Sequence, residues 1–98
     1  MSSSSPSTRP ANNEPLRLGQ CAKGWRGRVS GLSEIAGSGI PWQELERRLL
    51  EMGFVEGAQV AVLHDGPIRR DPIAVRVDDA TIAVRRADAN AILVEAGV

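Results

Sequence analysis

The chain has 98 residues, 42% hydrophobic and 24% charged, which is enough for one core and too little for two, so a single domain is expected. Twelve basic and twelve acidic residues cancel and are interspersed, leaving no strong field to attract nucleic acid or an anionic membrane surface. One cysteine, Cys21, excludes an intramolecular disulfide and fits a reducing cytosol, and no run of about 18 apolar residues offers a membrane span.

Residues 1–15 are rich in serine, proline and asparagine and hold no large apolar side chain after Met1. Such a segment cannot bury enough surface to offset its ordering entropy, about 1 to 2 kcal/mol per residue, so a disordered tail is expected. It also lacks the apolar stretch of a signal peptide. The foldable domain is expected over 16–98. Leu16 and Leu18 are placed at one end of its core.

From Trp25 to Leu32 the chain alternates Trp25, Gly27, Val29 and Gly31 with Arg26, Arg28, Ser30 and Leu32, an opening strand with Val29 inward. Its glycines point to close backbone approach or a bulge, as a barrel corner requires. Gly37-Ser38-Gly39 reads as a flexible loop, since no lysine follows and no strand presents it as a phosphate loop. Trp42, Leu45, Leu49 and Met52 then recur at helical spacing and form one apolar face. Gly53 supplies a left-handed stop, with Phe54 folding back on Leu49 as in a Schellman motif.

Three strands follow: one over Val60 to Leu63, a second over Ile73 to Val77, and a third beginning at Ile82. A tight turn at Asp79-Ala80, or a four-residue loop over 78–81, pairs Val77 with Ile82 and Val75 with Val84, leaving Arg76 and Arg85 on the other face. Ala87 to Ala91 suits one helical turn, and Ile92, Leu93 and Val94 a last strand. About five short strands and one helix, inserted between the first and second strands, favour a mainly β, partly open barrel.

Nothing in this pattern presents catalytic chemistry. His64 and Asp65 are adjacent on a strand and point to opposite faces, so they do not form a base and its orienting carboxylate. Cys21 has Lys23 two residues on, which would lower its pKa slightly, but no second cysteine or nearby histidine completes a nucleophilic or metal-binding set. Asp78 and Asp79 read as turn residues. No cluster has ligand spacing, so neither a metal site nor a cofactor is expected. Binding is what remains. The loop Asp65 to Pro72 (DGPIRRDP) carries Ile68 beside Arg69 and Arg70, a combination suited to recognising another protein, although a loop of merely solvated arginines fits the same residues. Glu44 and Arg48 could dock a partner too, but their spacing favours an i, i+4 pair on a solvated helix face. Trp42 is assigned to the core, and would be an interface anchor if exposed.

Several segments together resemble the FeoA family, small domains of bacterial ferrous-iron uptake: GWRGRVSG (24–31), RLLEMGFVEG (48–57), DPI (71–73) and IAVRRADANAILV (82–94), in the family's order. The resemblance spans about Leu16 to Glu95. It implies an SH3-like barrel, and a non-enzymatic cytosolic accessory that binds the cytoplasmic GTPase part of the FeoB membrane transporter and modulates transport. On this reading the protein does not enter the membrane itself, and it could form a homo-oligomer. Ile68, Arg69, Arg70, Glu44 and Arg48 are the partner-binding candidates. The alternative is an SH3-like regulatory module gripping a proline-containing peptide, including its own tail from Pro6 to Pro15; against it stand only three aromatic residues, Trp25, Trp42 and Phe54.

Overall fold

In the computed structural model, which describes residues 16–97, six strands build one antiparallel sheet. They are β1 (Leu16–Arg17), β2 (Arg26–Leu32), β3 (Gln59–His64), β4 (Ile73–Val77), β5 (Ala80–Val84) and β6 (Ile92–Ala96), in the spatial order β1-β6-β2-β3-β4-β5. The terminal strands β1 and β5 are not neighbours, so the sheet curls around its core without closing. The tail expected over 1–15 lies outside the described residues.

The alternation read from the sequence sets the inward side. Val29, Val60, Val62, Val75, Ile92 and Val94 are buried in a single apolar cluster that also takes in Leu18 and Cys21. The strand beyond the five expected is β1, only two residues long and held by pairing Leu16 with Val94 and Arg17 with Leu93. So short a strand carries no period for a sequence to show. The glycine expectations for β2 hold on both counts. A side chain at Gly27 would collide with the Glu95 carbonyl and the Trp25 ring. One extra residue, Ser30, is inserted opposite β6 between Val29 and Gly31.

Helix α1 (Trp42–Glu51) runs between β2 and β3 and drives Leu45 and Leu49 into the core. Trp42 is half-buried and packs against the same cluster. The helix ends as its glycine predicts: Phe54 N–H donates to the Leu49 carbonyl at 3.0 Å and Gly53 N–H to the Leu50 carbonyl at 3.0 Å, with φ of +106° at Gly53. Met52 departs from expectation. It remains 39% exposed because the chain turns out of the helix there, and fully buried Phe54 takes the next place in the core instead. Ser38, expected in a flexible loop, is largely buried, its hydroxyl donating to the Ile40 carbonyl at 2.8 Å.

The hairpin between β4 and β5 corrects the expected register. Val77 pairs with Ala80, Val75 with Ile82 and Ile73 with Val84, around a two-residue turn at Asp78-Asp79. The turn comes one residue early because Asp78 accepts left-handed backbone (φ +52°) and is held by Gln59, whose N–H donates to its carboxylate at 3.1 Å and whose carbonyl accepts its N–H at 2.8 Å. The partners therefore slip by two, which keeps every inward residue inward.

Truncating Leu49 to alanine is expected to cost about 2 to 5 kcal/mol in urea unfolding, as a cavity opens under α1. Gly53→Ala is expected to cost about 1 kcal/mol or more, through left-handed backbone and a Cβ placed 3.2 Å from Val77 Cγ1. A change smaller than about 0.5 kcal/mol at Gly53 would contradict the stop described.

Candidate functional site

The β3–β4 loop, residues 65–72, projects the most exposed large apolar side chain among the described residues, Ile68, at 73%. Arg69 and Arg70 beside it sit in left-handed backbone, φ +57° and +62°, which costs a non-glycine residue about 1 to 2 kcal/mol each. Neither arginine side chain makes an ion pair among the described residues. The tip is closed by Asp71 N–H donating to the Ile68 carbonyl at 3.1 Å. At its base Gly66 lies so close to the Asp71 carbonyl that a Cβ could not fit.

A residue that the sequence did not single out holds this loop in place. Arg86, the first residue of helix α2 (Arg86–Ala89), donates through Nε to the Arg70 carbonyl at 2.9 Å. Its other donors reach the Gly19 carbonyl at 3.1 Å, the Cys21 carbonyl at 3.0 Å and Asp65 Oδ1 at 2.6 Å. Its own backbone N–H donates to Asp71 Oδ1 at 2.8 Å. One guanidinium thus ties the loop to the 3-10 turn Leu18–Gln20 and to α2. The partners lie 16 to 67 residues away in sequence, too far for any local pattern to reveal them. Asp65 is accordingly the counterion of Arg86, while His64 is exposed.

Glu44 and Arg48 form the expected i, i+4 pair at 2.8 Å on the solvated side of α1. This helix and the loop occupy different connections, before and after β3, and no hydrogen bond or ion pair joins them among the described residues. A second apolar surface appears at the helix exit, where Leu50, Met52 and Val55 are exposed. A groove of about 610 Å³ is lined by Arg26 and Arg28 of β2, Arg76 of β4, and Asp78 and Asp79 of the β4–β5 turn. Among the described residues no group of three or more His, Cys, Asp or Glu is placed to hold a metal ion, and no helix is long and apolar enough to cross a membrane.

Cys21 is buried, and burial pushes its thiol up to about 11, against a smaller opposing pull from Arg86. The downward shift expected from Lys23 is thus reversed, because desolvation of a buried thiolate outweighs a solvated ammonium. Between about pH 9 and pH 11 the unfolded thiol ionises while the folded one stays neutral. Stability should therefore fall as pH rises through that window. Urea midpoints at about pH 8 and about pH 10 should show this loss in the native chain and lose that component in Cys21→Ala. Arg86→Ala is expected to cost about 3 kcal/mol and to raise amide exchange across 65–72, and Arg86→Lys should recover little of it, because an ammonium cannot reach four acceptors in a fork. Unchanged exchange in the loop would sink this assignment.

The FeoA domain family model matches residues 16–96. A Fe(2+) transport protein A/Fe(2+) transporter FeoB fusion protein from Porphyromonas gingivalis is 39% identical over 61 residues, 62% of this chain and 7% of that much longer protein. Among solved structures, a FeoA-like protein from Clostridium acetobutylicum superposes with a TM-score of 0.70 at 25% identity, covering 86% of this chain and 88% of that one. Stenotrophomonas maltophilia FeoA, a procaryotic SH3 domain protein determined in complex with zinc, superposes with a TM-score of 0.67 at 25% identity over 82% of this chain and 89% of its own. With an SH3-like barrel in common and a family match running from the first described strand to the last, the chain belongs to the FeoA family, which is associated with ferrous-iron transport.

Proposed function

We propose that this protein is a cytosolic, non-enzymatic accessory of ferrous-iron uptake that binds the cytoplasmic GTPase part of a FeoB-type transporter and modulates transport. The observation that carries the reading is the relative in which the two proteins are fused. Fusion holds two modules at an effective concentration in the millimolar range, an arrangement suited to partners whose separate affinity is modest. The protein reaches the inner membrane only through that partner.

The β3–β4 loop supplies the contact surface. Ile68 offers an apolar anchor, and Arg69 and Arg70 are free to fork onto carboxylates, while the Arg86 bonds keep the loop ordered before binding and so reduce its entropic cost. Glu44 and Arg48 form a second, weaker contact on α1, since an exposed pair of this kind contributes only about 0.3 to 0.5 kcal/mol to the helix and exchanges partners readily. The competing peptide-binding reading loses support from the aromatic residues. Phe54 is fully buried, and Trp25 and Trp42 pack against the core, which leaves no exposed aromatic platform among the described residues.

A heteronuclear NMR titration of the chain with the cytoplasmic part of FeoB from the same organism should shift the amides of Ile68, Arg69 and Arg70 first. Ile68→Asp should weaken binding about tenfold or more without changing the unfolding midpoint. Spectra that stay unperturbed at high partner concentration in every nucleotide state would refute the interaction.

A further inference from the structure

Strand β5 ends the sheet, and its free edge is undefended. Natural edge strands are blunted by lysine, proline, a bulge or extreme shortness. The opposite edge, β1, is only two residues long, but β5 (ATIAV) is five residues long, carries no charge and no proline, and pairs with β4 in unbroken register from Val77–Ala80 to Ile73–Val84. Backbone groups alternate along a strand. The closing pair Val77–Ala80 turns those of Ala80, Ile82 and Val84 toward β4, so those of Thr81 and Ala83 face outward. Thr81 and Ala83 are both exposed.

We propose that β5 is a pairing edge through which two copies of this chain associate antiparallel about a two-fold axis at Ile82. In that register Thr81 of each copy lies opposite Ala83 of the other, and both pairs exchange N–H···O=C bonds in both directions. Half-buried Ile82 meets Ile82 of the second copy. Beyond the strand ends, exposed Asp79 comes beside Arg85 of the second copy, and Arg85 beside its Asp79. Arg85 is available for this, being 69% exposed with only a long 3.8 Å approach to Asp88. Asp79 has no ion pair of its own among the described residues.

The arrangement of charge selects a second copy as the occupant. An acid before the strand and a base after it make the edge complementary to itself when two copies meet antiparallel about a two-fold axis. Sliding by two residues, the smallest step that keeps the outward groups facing one another, shortens the overlap and separates the charges. Arg76, which flanks Thr81 on the outer face, lies one strand inward from this contact and faces no like charge across it. So short an edge falls in the range below ~1,200 Å² that characterises weak, transient interfaces, and the dimer is accordingly concentration-dependent.

Sedimentation equilibrium of the full chain from micromolar to millimolar concentration should show monomer giving way to dimer. Asp79→Arg alone and Arg85→Asp alone should each weaken association about tenfold, and the double exchange should restore it. Thr81→Pro removes an outward donor without touching a bond to β4, and should abolish dimerisation with an unchanged circular dichroism spectrum. A chain that stays monomeric at millimolar concentration, or a dimer indifferent to both single charge changes, overturns the proposal. So does a monomer whose Thr81 and Ala83 amides become protected only when the FeoB cytoplasmic part is added, a result that would give the edge to that partner and leave the accessory function standing.

Discussion

The Arg86 guanidinium connects what the backbone of this domain leaves unconnected. The sheet runs from β1 to β5 with no hydrogen-bonded ladder joining its two ends. Arg86 stands just after β5, and its donors reach the carbonyls of Gly19 and Cys21, just after β1. A side chain thereby closes, at one point, a barrel that the strands leave open. Only arginine suits the position, because a planar fork can serve three carbonyls and a carboxylate in fixed directions where a lysine would have to choose among them. Its charge is matched at short range by Asp65, so the burial of both is compensated.

From that clasp the rest of the candidate site follows. The β3–β4 loop departs from its closure at Asp65 and returns to it at Asp71, and both carboxylates accept from Arg86. Fixed at both ends, the loop can hold Arg69 and Arg70 in left-handed backbone and keep Ile68 out in solvent. A free loop would relax from that conformation. Left-handed backbone at two arginines persists only where the surrounding bonds over-determine it. In a domain this small, with stability on the order of a few kcal/mol, the same bonds that order the loop are a large share of what keeps the fold intact.

The loop and the β5 edge are chemically different surfaces. The loop offers side chains, one apolar and two cationic. The edge offers main-chain donors and acceptors, and its side chains serve only to align it. The two need not compete, since the edge directs its free groups away from β4 while the loop enters β4 at its first residue, Ile73. A self-associating accessory would present two copies of the loop at once, which raises avidity for a partner without any new contact.

Local chemistry was legible in the residues wherever it acts over a few positions. The stop at Gly53-Phe54 requires a residue free of Cβ and an apolar side chain one step on, and both are written consecutively. The inward faces of β2, β3, β4 and β6 follow from a period of two. The Glu44–Arg48 pair follows from the helical period, and the resemblance of four short segments identified the family. Tertiary structure decided the rest. The slip of the β4–β5 register depended on Gln59 gripping Asp78 from another strand, and the exposure of Met52 on Phe54 filling the core first. Above all, the role of Arg86 could not be read, because its acceptors are mainly backbone carbonyls, which every residue possesses and no sequence distinguishes. Periodicity reports which side of an element is apolar; which distant carbonyls converge on one guanidinium is settled only when the chain has closed around them.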